Sequence, residues 1–190
     1  DYFEKGAFEY AKAGLANECD VIFGKVKVLL QDGGYLINDP NIKFEKMLRW
    51  WESDAYSYNA SGYFYKRKVQ MQIPFDITDH YCMDLKFLLE ASKVFTFQKV
   101  DHIFGIFRLL ADSKTGKHVS DLNHLGRIMS FCDEYVKEMD VTYAKKYFFD
   151  KDNYMSARKK EAAIEVASNT GIKKLLRFLS KSASKIRHTK

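Results

Sequence analysis

The chain has 190 residues, a hydrophobic fraction of 46%, a charged fraction of 29% and a net charge of +6. These values suit one large or two small globular domains and exclude a disordered or fibrous chain. No apolar run reaches the roughly 18 residues that a membrane span needs. The basic excess is confined to the last stretch, where Lys173, Lys174, Arg177, Lys181, Lys185, Arg187 and Lys190 occur without an acidic residue. A near-neutral body with a basic tail argues against a general nucleic-acid-binding surface.

In chain order, Tyr2–Gly14 has near-helical spacing through Phe3, Ala7, Phe8, Tyr10 and Ala11. Leu15–Leu30 reads as a continuing helix that ends near Gly33-Gly34. The competing reading is a ribbon over Val26–Ile37, turning at Asp32-Gly33-Gly34. Asn38-Asp39-Pro40-Asn41 is a loop, and Ile42–Glu52 is a helix with Phe44, Met47, Leu48 and Trp51 on one side. Ser53–Gly62 is an irregular connection. Val69, Met71, Ile73, Phe75 and Ile77 alternate with polar residues, which is a strand pattern, with Pro74 at an edge.

Thr78 caps a helix carrying Leu85, Leu88 and Leu89, and Thr96 caps another carrying Val100, Ile103, Phe104, Phe107 and Leu110. Ser120 precedes a helix over Asp121–Val136 with Leu122, Leu125, Ile128, Met129 and Cys132 inward. Tyr143–Phe149 and Ala157–Ala167 form a further helical pair, and a last helix starts near Ile172. The expected fold is therefore mainly α, a multi-helix domain with at most one short ribbon (Val26–Ile37 or Val69–Ile77). Its parts are an N-terminal lobe over 1–92, a C-terminal lobe over 93–170 and a tail over 171–190.

Within Phe104–Met129, a helix, a polar loop with Asp112, Ser113, Thr115 and Gly116, and a second helix follow one another. Asp150, Asp152 and Glu161 then fall at the first, third and last places of a second loop of about 12 residues. This order resembles the EF-hand of the calmodulin superfamily over Thr96–Ala167. The resemblance implies paired helix–loop–helix units, and Asp150, Asp152 and Glu161 as the candidate metal ligands. Lys114 puts a cation where an oxygen is needed, Tyr154 and Met155 replace an oxygen ligand and the turn glycine, and no Glu closes the first loop. The residues thus argue against calcium, and no cofactor is expected. What the family fold implies without metal is protein binding by a hydrophobic groove.

Other constellations are thin. His80, His102, His118, His124 and His188 lack metal-ligand spacing, and GxSxG, Walker A and GxGxxG are absent from the sequence. Cys19, Cys82 and Cys132 form no CxxC pair, which fits reduced thiols inside a cell. An initial Asp1 without Met suits a processed protein, including a mitochondrial one after presequence removal. Trp50 and Trp51 cannot share one helical face. With Phe104, Phe107, Phe148 and Phe149 they are the candidate protein-binding aromatics.

These observations lead to a non-enzymatic structural or adaptor subunit that binds other proteins within a larger assembly. The alternative is an RNA-associated helical domain using Tyr65–Lys68 and the basic tail. That tail would also suit an anionic membrane surface.

Overall fold

Val21–Leu29 is a β-strand rather than helix: Val21, Ile22, Val26 and Val28 are β-branched and buried, and the segment pairs on both sides. The computed structural model describes residues 1–79, 82–110 and 122–186, with side chains described between residues 125 and 164 of the last stretch. The elements are β1 (Tyr2–Phe3), α1 (Ala7–Leu15), β2 (Val21–Leu29), β3 (Tyr35–Asn38) and α2 (Phe44–Leu48). A 3-10 turn (Ala60–Gly62), β4 (Tyr63–Tyr65), α3 (Arg67–Gln72), α4 (Met83–Val94) and β5 (Phe97–Arg108) follow. The described part ends with α5 (Leu122–Val136) and α6 (Val141–Ile186).

The strands form one five-stranded sheet in the order β1-β5-β2-β3, with β4 also paired to β2. β2 and β5 are parallel, and the remaining pairs are antiparallel. The mainly α expectation is overturned by this mixed sheet. So is the EF-hand resemblance. Phe104 and Phe107, expected on an entering helix, belong to β5, and Asp150–Glu161, expected as a loop, lies inside the continuous helix α6. The other expected loop, Asp112–Gly116, lies outside the described residues.

Two further expectations are corrected. The helical spacing of Val100, Ile103, Phe104 and Phe107 arises because Phe104, Gly105, Ile106 and Phe107 are consecutively buried. Such a run marks a central strand covered on both faces. Conversely, the alternation at Val69–Ile77 is not a strand. Val69 is fully buried, Met71 is 74% exposed, and the amide of Ile73 donates to the carbonyl of Val69 at 2.8 Å. Val69 and Ile73 are one helical turn apart.

Alternate residues of β2 point to opposite faces of the sheet. Val21 and Phe23 join a large core with Leu85, Leu88, Ile128 and Cys132 from α4 and α5. Ile22 joins a smaller core with Ala7, Ala11 and Phe104 beneath α1. Gly105 lies where a Cβ would come within 1.8 Å of the Ser61 hydroxyl, so the 3-10 turn sits directly against β5. Gly33, at φ 86°, makes the turn between β2 and β3.

The chain divides into two compact units, Asp1–Tyr147 and Phe148–Lys190. The expected boundary after residue 92 falls within α4, and the β2–β5 pairing joins segments from either side of it. The second unit consists, among described residues, of the rest of α6. Among described residues, no helix is long and apolar enough to cross a membrane.

Candidate functional site

Helix α1 is bound to the sheet by its small residues. Ala7 and Ala11 are buried, and a Cβ on Gly14 would lie 2.1 Å from Ile22 Cδ1. Ala7, Ala11 and Gly14 recur at helical spacing and let the backbone approach the strands closely. The large side chains of the same segment are consequently left outside. Tyr2 is 53% exposed, Phe3 42%, Phe8 59% and Tyr10 52%.

Ring contacts place Phe3, Phe8 and Tyr10 in two groups. The Phe3 ring lies 4.8 Å from Phe8 and 5.3 Å from Phe64, and Phe8 lies 5.4 Å from Phe64. Tyr10 stacks on His102 at 4.2 Å. The backbone that holds them is fixed. β1 pairs Tyr2 with Ile106 and Phe3 with Gly105, the amide of Glu4 donates to the carbonyl of Phe104 at 2.9 Å, and Gly6, at φ 86°, turns the chain into α1. The result is an aromatic cluster of Phe3, Phe8 and Phe64 at the β1 edge of the sheet.

A second constellation surrounds Asp84 in the first turn of α4, where a helix favours negative charge. The Tyr63 hydroxyl donates to Asp84 Oδ1 at 3.2 Å. Burial, reinforced by the Asp84 charge, raises the Tyr63 and Tyr65 phenols; burial, Tyr58 and then Asp84 raise that of Tyr56. Tyr56 rides on a loop pinned by Asn38. The Asn38 Nδ2 donates to the carbonyls of Ser53 (3.0 Å) and Tyr56 (3.2 Å), and its Oδ1 accepts from the Tyr58 amide at 3.0 Å. Burial pushes the neighbouring Cys82 thiol up to about 12, so it is no nucleophile at neutral pH.

The residues singled out from sequence disperse. Phe104 and Phe107 are core residues, 0% and 9% exposed. Trp50 and Trp51 are half-buried against the large core, and Trp51 lies 5.5 Å from the Tyr147 ring. Phe148 and Phe149 are exposed on α6, and Lys151 Nζ lies 4.8 Å from the Phe148 ring centroid.

Asp150, Asp152 and Glu161 share a continuous helix, in which an 11-residue separation spans about 16 Å. That exceeds the reach of one ion's ligand shell, and Glu161 pairs with Arg158 at 2.6 Å. Among described residues no His, Cys, Asp or Glu cluster could hold a metal ion.

In the Tyr65–Lys68 patch, Tyr65 packs 5.0 Å from Phe87, and Lys68 and Lys66 reach Asp20 at 2.7 and 3.7 Å. Lys173, Lys174, Arg177, Lys181 and Lys185 continue α6 in backbone only, and Arg187 lies outside the described residues. The aromatic face escaped the sequence reading because its residues fitted an ordinary amphipathic helix. The Ala7, Ala11, Gly14 stripe is the signal that points instead to the small side as the buried one. No family model, curated protein or solved structure matches the chain.

Proposed function

We propose that this chain is a structural or adaptor component that binds another protein through the aromatic face of β1 and α1. The observation that supports this reading is the exposure of Phe3 and Phe8, whose rings pack 4.8 Å apart beside a helix whose small residues already fill the sheet contact. Contiguous exposed apolar surface on a rigid support is the usual mark of an interaction site. Rigid aromatics gain contact area at low entropic cost. A photo-reactive phenylalanine analogue placed at Phe8 in cells producing the native chain tests it. The expected result is a discrete protein adduct that is absent when the analogue replaces Val94, an exposed residue elsewhere on the fold. No adduct at Phe8, or the same adducts at both positions, removes the reading.

A second reading is favoured by Asp84. A half-buried carboxylate that accepts from the Tyr63 hydroxyl is equipped to accept hydrogen bonds from a small ligand, or a proton from it. Asp84→Asn tests that role in a screen of small ligands by protein-observed NMR. A ligand whose shifts centre on Tyr56 and Tyr63 and vanish in the variant supports it.

A further inference from the structure

A cleft of about 240 Å³ opens between the segment after α3 and helices α4 and α5. Phe87, Phe131 and Tyr135 supply aromatic walls, with Ile73 and Pro74 opposite, while Asp76, Lys86 and Glu90 line it with charge. Two cations already sit over its rings: Lys86 Nζ is 5.0 Å from the Phe131 centroid, and Lys93 Nζ is 4.3 Å from that of Tyr135. Lys86 also bridges Asp76 at 2.9 Å and Asp79 at 3.1 Å, Lys93 pairs with Glu90 at 3.1 Å, and Glu90 accepts from the Tyr135 hydroxyl. Two carboxylates, Asp76 and Glu90, and one ammonium, Lys86, thus line the cleft among aromatic walls, with Asp79 and Lys93 paired to them.

We propose that this cleft is a binding site for a planar organic cation of the arylamidinium or guanidinium class. The volume suits a single ring or one long side chain, below the size of a drug-like ligand. A delocalised cation is weakly hydrated, lies flat on aromatic faces and offers paired N–H donors to a carboxylate. Glu90, whose side chain is 40% exposed, accepts from Lys93 at 3.1 and 3.3 Å through its two carboxylate oxygens, and a forked donor would take the place of that single ammonium. The excess carboxylate disfavours an anion. The Thr78 hydroxyl, then the Lys86 ammonium, hold the Asp76 carboxyl down at about 2, so the negative rim persists across the physiological range.

The test titrates the native chain with benzamidine, and in parallel with neutral benzamide, by protein-observed NMR. Benzamidine is expected to shift Glu90, Phe131 and Tyr135 resonances, and benzamide to bind at least about tenfold more weakly. Glu90→Gln and, separately, Phe131→Leu are each expected to weaken benzamidine by about tenfold. The Phe131→Leu variant keeps an apolar wall and every charge, so it reads the ring face even if Glu90→Gln disturbs α4. Equal binding of the two probes, no shifts at lining residues, or unchanged affinity in a folded variant overturns the proposal.

Discussion

Asp20, at the entrance to β2, is joined to Lys68 on α3 by a 2.7 Å ion pair, with the carboxylate side chain 10% exposed. The same carboxylate accepts weakly from the Thr96 amide at 3.4 Å, just before β5. One side chain therefore ties three segments that are distant in sequence. Its hydrogen bond from Lys68 outweighs burial and holds its pKa below the ordinary 3.8. A depressed carboxylate contributes stability that is fully present above its unfolded pKa and is lost as pH falls through the lower folded value. Wild-type stability is expected to decline in acid below about pH 4 more steeply than that of Asp20→Asn. Near neutral pH the variant should be less stable by about 1–3 kcal/mol. Urea denaturation across pH checks both; parallel acid profiles would show that Asp20 is not a linkage group.

Gly105→Ala places a methyl 1.8 Å from Ser61 Oγ and 3.0 Å from the Ser61 carbonyl carbon. Because backbone as well as side chain is in the way, the 3-10 turn must shift. The expected loss is about 1–3 kcal/mol. Adding Ser61→Gly should recover part of it, as measured by denaturation midpoints.

Asn38 is 1% exposed, and its amide makes three hydrogen bonds to the 53–58 loop. Asn38→Ala leaves those backbone groups without their partner, at a cost of about 1–3 kcal/mol. Hydrogen exchange at Tyr58 should rise well above that in α4. Uniform acceleration across the chain would mean that Asn38 supports global folding rather than the loop.

Phe8 and Phe104 separate the aromatic face from the core beneath it. Phe104→Ala is expected to destabilise by about 3–5 kcal/mol because it empties a fully buried site. Phe8→Ser should cost no more than about 1 kcal/mol while removing the adduct-forming surface. A large stability loss in Phe8→Ser would reassign the face to the fold.

Calcium is expected to leave the protein unchanged at Asp150 and Glu161, since α6 holds them about 16 Å apart. Calorimetric titration with calcium checks this. Heat of binding that disappears in Asp150→Asn would require α6 to break at that site.

The helices with local apolar periodicity were legible in the sequence. Leu85, Leu88 and Leu89 of α4, and Leu125, Ile128, Met129 and Cys132 of α5, are buried as their spacing implies. The sheet was largely hidden. β5 reads as helix because it is covered on both faces, and the strands it pairs with begin 76 or more residues earlier. The β2–β3 ribbon was visible only as one of two readings of the stretch before Gly33. The surroundings of Asp84 have no local signature. Tyr56 comes from a loop and Tyr63 from β4, and only the β4–β2 pairing and the Asn38 hydrogen bonds bring them to α4.

The position of β5 in the sheet has a consequence during synthesis. β1 and one edge of β2 pair only with β5, so no more than the β2–β3 and β2–β4 antiparallel contacts can form while the nascent chain ends before Phe97. Until then Ile22 and Val26 stand on an open strand edge, a state prone to intermolecular pairing. Ribosome-bound chains arrested ahead of β5 therefore carry this edge unpaired by its parallel partner.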